Sequence, residues 1–143
     1  MNARDVDLAV SAGARFLVSP GYAPTVVAQA REHEVVVVPG VATASEIQAA
    51  IADRLDAVKL FPAGLIGGLA AVNAFAGPFP RMRFMPSGGV TADNAAEYLA
   101  HPSVFAVGGS WMVPRDRLAV GDWSAVAELS RAAIKALRQR DHA

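Results

Sequence analysis

The sequence predicts an α/β fold whose strands run parallel and are covered by helices. Its 143 residues are 53% hydrophobic and only 18% charged, which suits one domain with a sizeable core. Five short apolar runs are continuous rather than alternating, as expected of strands that are buried on both faces. These runs begin about 20 to 26 residues apart, and a helix-compatible stretch separates each pair. This spacing is typical of successive β/α units.

The predicted elements follow one another in regular order. The chain opens on a helix at Val6–Ala12. The predicted strands are Arg15–Ser19, Val35–Pro39, Ala57–Pro62, Arg83–Pro86 and Val104–Gly108. The helices between and after them are Ala23–Glu34, Ala44–Arg54, Gly68–Ala76, Ala92–Ala100 and Ser124–Arg138. Two helices carry start signals, because Thr43 and Glu46 have capping-box spacing and Thr91 is suited to be an N-cap.

Each predicted strand ends at a turn rich in proline or glycine, which places five turns at one edge of the sheet. No Gly-x-Gly-x-x-Gly turn follows the first strand and no strand has the pattern of a polar edge, so a closed barrel is favoured over an open sheet. Closure needs about eight strands. We therefore expect residues 1–143 to form a single partial domain that supplies about the last five units of a (β/α)8, or TIM, barrel of roughly 210 residues.

Lys59 is the residue best suited to chemistry, since it lies inside an apolar strand with Val58 and Leu60 predicted on the opposite face. Burial disfavours the charged ammonium and lowers the pKa of a lysine, which frees the amine to attack a carbonyl. The alternative is a structural lysine whose head reaches the rim or pairs with a carboxylate there. No carboxylate stands at a strand end near Lys59, so the sequence identifies no general base.

Two glycine-rich segments follow the fourth and fifth predicted strands. Ser87-Gly88-Gly89 and Gly108-Gly109-Ser110 each lead from a strand toward a helix. Glycines let backbone N–H groups approach an anion closely. In (β/α)8 enzymes the phosphate site commonly lies in the loops after strands seven and eight, which these are if three units precede them. The alternative is that both pairs serve only tight turns.

Composition argues against several other functions. The formal net charge is zero, so nothing indicates binding to nucleic acid or to an anionic membrane. The chain has no cysteine, and His33, His101 and His142 lack the spacing of a metal site, so no metal or cofactor is expected. No run approaches the roughly 18 apolar residues of a membrane span, and the polar N-terminus is unlike a secretory signal. A cytoplasmic protein is the expectation.

Five motifs occur in a fixed order along the chain. They are Ser19-Pro20-Gly21, Pro39-Gly40-Val41-Ala42-Thr43-Ala44-Ser45-Glu46, Val58-Lys59-Leu60-Phe61-Pro62-Ala63, Pro86-Ser87-Gly88-Gly89-Val90 and Val107-Gly108-Gly109-Ser110-Trp111. In order and spacing they resemble the 2-keto-3-deoxy-6-phosphogluconate (KDPG) aldolase family. The resemblance implies a homotrimeric class I aldolase of the Entner–Doudoroff pathway, which cleaves KDPG to pyruvate and glyceraldehyde 3-phosphate.

The resemblance also implies roles for individual residues. Lys59 matches the Schiff-base lysine, and Pro20 and Phe61 match residues that line the pyruvate pocket. Ser87 stands where the family often has threonine, and we expect it to bind substrate. The positions that match the phosphate-binding rim are Gly88, Gly89, Gly109 and Ser110.

The resemblance further implies that the family's first three units lie before Met1, together with its general acid/base glutamate and an arginine for the pyruvate carboxylate. We therefore expect an open sheet with exposed edges, low solubility and little activity for this chain alone. The alternatives are an aldolase for 4-hydroxy-2-oxoglutarate or for 2-keto-3-deoxy-6-phosphogalactonate, and a phosphate-binding or assembly remnant without catalysis. The two glycine segments favour a phosphorylated substrate and leave its configuration at C4 open.

Overall fold

The computed structural model describes residues 1–138, in which helices alternate with parallel strands. The helices are α1 (Ala3–Ser11), α2 (Pro24–Glu32), α3 (Ala44–Ala52), α4 (Leu69–Ala76), α5 (Ala95–Leu99), α6 (Arg115–Ala119) and α7 (Trp123–Arg138). The strands are β1 (Phe16–Val18), β2 (Val36–Val38), β3 (Gly40–Val41), β4 (Ala57–Leu60) and β5 (Arg83–Pro86). The predicted α/β alternation is confirmed, and α6 is an additional helix. His142 lies outside the described residues.

Every strand pair runs parallel, in two ladders that meet at one proline. β1 pairs with β2, with Phe16 opposite Val36, and β3, β4 and β5 form the second ladder, with Lys59 opposite Met85. Pro39 lies between β2 and β3, and its carbonyl accepts a hydrogen bond from the N–H of Lys59 at 2.8 Å. Because proline has no N–H, it cannot continue the ladder on its other side.

The last predicted strand, from Val104 to Gly108, is present only as two bridges. Val104 pairs with Phe84 and Gly108 pairs with Ser87, so the pairing slips by one residue between them. Pro86 accounts for the break, because it has no N–H to donate and its carbonyl accepts from the N–H of Gly108 at 2.8 Å. The prediction of a regular strand was therefore wrong, although both ends of the segment pair in parallel.

One of the two predicted helix starts is confirmed. At α3, the Thr43 hydroxyl accepts from the N–H of Glu46 at 3.3 Å, and the Glu46 carboxylate accepts from the N–H of Thr43 at 3.0 Å. The prediction for Thr91 was wrong, since α5 begins only after Asn94. The Asn94 side chain instead accepts from the N–H of Thr91 at 2.8 Å and donates to the carbonyl of Gly89 at 3.0 Å.

The two faces of the sheet differ in burial. Val58 and Leu60 are fully buried in the core beneath the helices, as predicted. Because side chains alternate along a strand, Lys59 lies on the opposite face. That face is open, and Phe16 and Val36 are 63% and 65% exposed on it. Within the described part of the chain, no helix combines the length and the apolar character needed to cross a membrane.

Candidate active site

A cavity of about 420 Å³ lies at the carboxyl ends of β1, β4 and β5. It is lined by Val18, Lys59, Phe61, Met85, Ser87, Gly88, Gly89, Val90, Gly108, Gly109 and Ser110. Lys59 is the only charged residue in this lining, which contains no carboxylate. The structure thus brings together every predicted site residue except Pro20.

Lys59 is a half-buried amine without an acidic partner. Desolvation penalises its charged form, and burial therefore lowers the pKa of Lys59 below its usual value. Its Nζ lies 4.5 Å from the centroid of the Phe61 ring, a contact that favours the ammonium and so limits this lowering. Among the described residues, no carboxylate lies within ion-pair distance of Lys59. The alternative prediction, in which Lys59 pairs with a carboxylate at the rim, is therefore not seen among these residues.

Phe61 directly follows the last residue of β4, and its ring lies between the amine of Lys59 and the glycine segment at Gly88. Its N–H donates to the carbonyl of Val41 at 3.0 Å, and the Phe61–Pro62 peptide is cis. A side chain on Gly88 would begin 3.1 Å from the Phe61 ring. Gly88 also has a φ of +82°, in the region that favours glycine. The backbone conformation at position 88 thus favours glycine, and a side chain there would also press on the Phe61 ring.

The first glycine segment, Ser87–Gly89, is held on both sides by hydrogen bonds. The N–H of Ser87 donates to the carbonyl of Leu60 at 3.0 Å, and the carbonyl of Ser87 accepts from the N–H of Ala63 at 2.8 Å. The carbonyl of Gly88 accepts from the N–H of Gly64 at 2.8 Å. The carbonyl of Gly89 accepts from the side-chain amide of Asn94 at 3.0 Å. Within residues 1–138, the N–H of Gly89 donates to no protein acceptor, whereas the N–H of Gly88 is directed at the carbonyl of Gly108 in the bridge between Ser87 and Gly108. One free backbone donor of this segment, on Gly89, therefore lies at the cavity wall.

The second glycine segment, Gly108–Ser110, lies beside the first in the cavity wall, because Gly108 pairs with Ser87. Gly108 lies directly against the Ser87 hydroxyl, which leaves no room for a side chain at position 108. In the described part of the chain, the N–H groups of Gly109 and Ser110 also have no protein acceptor. Free backbone donors on adjacent loops make a suitable site for an anion such as a phosphate group.

Pro20 is the predicted site residue that the structure leaves outside this cavity. It is exposed at the end of β1, and its carbonyl lies against Gly40, where a side chain would overlap the Pro20 backbone. Its contact with pyruvate remains a prediction. Met85 is a lining residue that the prediction missed. Aligning the first residues of the two predicted strands, Ala57 and Arg83, in parallel register would have placed it opposite Lys59.

The cavity lining combines the amine of Lys59 with unpaired backbone N–H groups and includes no carboxylate. Glu46, the one carboxylate within the five motifs, is engaged at the start of α3, where it also accepts from the N–H of Ala42 at 2.8 Å. Its role as a helix-capping residue is as predicted. The lining residues are therefore equipped to form a covalent adduct with a carbonyl compound and to hold an anionic group near it.

Known proteins similar to this chain form one group. The family model for KDPG and KHG aldolase matches residues 1–129. The 2-dehydro-3-deoxy-phosphogluconate aldolase of Treponema pallidum (strain Nichols) is 49% identical over 127 residues, which are 89% of this chain and 60% of that protein. The chain spans about three fifths of the length of the curated relatives it matches.

Two solved structures of similar architecture contain small molecules. The crystal structure of KDPG aldolase from Legionella pneumophila, with pyruvate captured at low pH as a covalent carbinolamine intermediate, matches with a TM-score of 0.88 and 36% identity. The matched region covers 93% of this chain and 65% of the Legionella chain. The aldolase of Zymomonas mobilis ZM4, with 3-phosphoglycerate, matches with a TM-score of 0.83 and 38% identity, covering 95% of this chain and 62% of that one.

Proposed function

Since the chain belongs to the KDPG and KHG aldolase family, we propose that it carries the Schiff-base centre of a class I aldolase. The proposed substrate is KDPG, which is cleaved to pyruvate and glyceraldehyde 3-phosphate. One observation carries this proposal: Lys59, a desolvated amine without an acidic partner, shares one cavity with two glycine segments that present the unpaired N–H groups of Gly89, Gly109 and Ser110. We further infer that the parallel sheet corresponds to about five β/α units of a (β/α)8 barrel.

The first half of the reaction needs only the amine and the substrate. The neutral Nζ of Lys59 adds to the C2 carbonyl of the 2-keto acid, and uptake of a proton from solvent with loss of water converts the carbinolamine into an iminium ion. Lowering the pKa of Lys59 favours this step, because a larger fraction of the amine is neutral at pH 7. The covalent carbinolamine of pyruvate captured in the Legionella relative supports this chemistry.

Carbon–carbon cleavage follows from the iminium ion. The C3–C4 bond breaks, its electron pair moves through C3 to the iminium nitrogen, and the C4 hydroxyl loses its proton as glyceraldehyde 3-phosphate leaves. Protonation of the resulting enamine at C3 and hydrolysis release pyruvate and restore the lysine. A positioned acid or base typically contributes about 10² to 10⁴ in rate to such proton transfers. We assign none of these transfers to the lining residues, because they include no carboxylate.

The two glycine segments are proposed to bind the substrate phosphate. Hydrogen bonds from neutral N–H groups to an anion are charge-assisted and need no lysine or arginine nearby. Gly89, Gly109 and Ser110 have unpaired N–H donors on the cavity wall, Gly88 lines the same wall, and Ser87 adds a hydroxyl. The 3-phosphoglycerate in the Zymomonas relative supports binding of a phosphorylated compound by this fold.

Pyruvate trapping tests the proposal on the chain itself. With pyruvate and borohydride at pH 7, we expect Lys59 to gain the mass of the reduced adduct, and Lys59→Ala to abolish that gain. The chain has one other lysine, Lys135, which is exposed on α7 and serves as an internal control in the same digest. Equal labelling of both lysines, or no labelling of Lys59 in a folded chain, would contradict the proposal.

A second candidate substrate is 4-hydroxy-2-oxoglutarate, because the matching family model names KHG as well as KDPG aldolases. This compound offers no phosphate to the glycine segments. Inorganic phosphate added as a competitor should therefore weaken binding of KDPG and leave binding of 4-hydroxy-2-oxoglutarate unchanged. The homotrimeric state and the cytoplasmic location remain predictions.

A further inference from the structure

The two glycine segments are held in place by different means. The backbone and Asn94 tie Ser87–Gly89 at each of its three residues. In the second segment, Gly108 donates to the carbonyl of Pro86, and the next backbone bond is from the N–H of Val113 to the carbonyl of Ser110 at 3.0 Å. Gly109, between them, is held by no backbone hydrogen bond in the described residues. Packing against Gly109 therefore contributes to the orientation of its peptide groups.

Trp111 supplies that packing. The six-membered part of its indole ring lies directly against Gly109, so that a methyl group at position 109 would overlap the ring. Gly109 does not have the positive φ that marks Gly88 and Gly89. Glycine is thus required at 109 for the space that the indole occupies, and not for backbone conformation.

Away from Gly109, the indole of Trp111 faces a small apolar cavity at the base of the rim. This cavity of about 220 Å³ is walled by α5 and α7, including Ala95, Leu129 and Ala133. Trp111 is also packed against the main hydrophobic core. A rigid aromatic ring packed against the core is well suited to fix the position of the glycine segment relative to the core.

We propose that Trp111 is a positioning residue for the phosphate-binding rim: its indole holds the N–H groups of Gly109 and Ser110 in place for the substrate phosphate. Trp111 itself offers no donor to the cavity and does not line it. The inference rests on the proposed function and extends it, since it names the side chain on which preference for phosphorylated substrates depends. Binding of the unphosphorylated pyruvate moiety at Lys59 should be independent of it.

The test uses inorganic phosphate as the probe and the backbone N–H signals of the ¹⁵N-labelled chain as the readout. In the unaltered chain, phosphate should shift the signals of Gly88, Gly89, Gly109 and Ser110. In Trp111→Ala, the apparent Kd for phosphate should rise about tenfold, since two charge-assisted hydrogen bonds lose their alignment. Trp111→Phe, which keeps a ring, should show a smaller rise. Trp123→Ala removes an indole that is 66% exposed, and it should change the Kd less than twofold.

Pyruvate trapping at Lys59 separates a positioning role from general loss of structure. Trapping should stay within twofold of the unaltered chain in Trp111→Ala and Trp111→Phe. An unchanged phosphate Kd in both variants overturns the inference, as does an equal loss of phosphate binding and of trapping. Absence of trapping in the unaltered chain would instead overturn the proposed function. If Trp111→Ala does not fold, Trp111→Phe decides by the same two measurements.

A double-mutant cycle adds a second criterion. Gly109→Ala places a methyl group against the indole and should weaken phosphate binding in the unaltered background. In the Trp111→Ala background the same methyl group has space, so the added loss should be under twofold. Additive losses would show that Trp111 does not act through Gly109, and they would overturn the inference.

Discussion

The two ends of the sheet contain cavities of opposite character. The cavity at the amino ends of β2, β4 and β5 is about 910 Å³, and that at the carboxyl ends is about 420 Å³. The larger one is lined by charges of both signs, with Arg83 paired to Asp56 at 3.1 Å. The smaller one has a single amine, on Lys59, and no acid.

The difference shows that volume is a poor guide to chemistry in this sheet. An ion pair stabilises the charged forms of both partners, so a lysine placed beside Asp56 would be held as an unreactive ammonium. Lys59 experiences the opposite effect, because desolvation acts on it without a compensating carboxylate. The smaller, less charged cavity is therefore the better place for a nucleophile.

Giving the carboxyl-end cavity an ion pair of its own should produce the largest effect. Met85 lies opposite Lys59 on the neighbouring strand and lines the same cavity. In Met85→Glu, the new carboxylate should raise the pKa of Lys59, and a rise of about one to three units lowers the neutral amine at pH 7 roughly 10- to 1,000-fold. Pyruvate trapping should fall accordingly and recover as the pH rises.

Met85→Gln is the matched control for this change, because it has nearly the same shape without the charge. Its trapping rate should stay within a few-fold of the unaltered chain over the whole pH range. Equal rates for the glutamate and glutamine variants at pH 7 would show that the lack of an acidic partner does not set the reactivity of Lys59.

An intermediate effect is expected from Gly88→Ala, with Gly13→Ala as its control. Both glycines have a positive φ, of +82° and +88°, but a methyl group at Gly13 would meet nothing within 4 Å. Gly13→Ala should therefore lower the free energy of unfolding by only the conformational cost, about 1–2 kcal/mol. Gly88→Ala should cost roughly 1–3 kcal/mol more, because its methyl group presses on Phe61. Urea unfolding measures both, and equal costs would contradict the packing argument.

The smallest effect is expected at the amino end. Arg83 and Asp56 are 54% and 77% exposed, and the Arg83 guanidinium lies 5.5 Å from the Phe105 ring centroid. Arg83→Met should change the free energy of unfolding by less than about 1 kcal/mol, since exposed pairs and ring contacts contribute little. Trapping at Lys59 should not change. A loss of trapping in Arg83→Met would mean that the two ends of the sheet are coupled.

Local sequence signals were sufficient for the features that depend on one strand or one helix start. Alternation within an apolar run placed Lys59 opposite to Val58 and Leu60, and the Thr43–Glu46 spacing predicted its capping box. The glycine segments were located because paired glycines at the end of an apolar run are typical of tight turns and of loops that bind anions. Each of these inferences requires only residues that are close together in the chain.

Features that depend on contacts between distant segments were missed. The slip in the last strand arises because Pro86, on one strand, cannot donate to its neighbour some twenty residues later in the chain. Thr91 was predicted as the cap of α5, whereas the helix begins after Asn94, whose side chain reaches back to the carbonyl of Gly89. Helix α6 is different, because Pro114 before it is a local start signal that was overlooked.

The slip opposite Pro86 has a consequence for self-association. A regular edge strand presents evenly spaced N–H and C=O groups, on which another chain can build a further strand. Between Val104 and Gly108 the spacing is broken by the extra residue, so this side of the sheet is a poor template for such intermolecular pairing. The same irregularity that defeated the strand prediction therefore works against aggregation at the side of the sheet that carries Gly109 and Ser110.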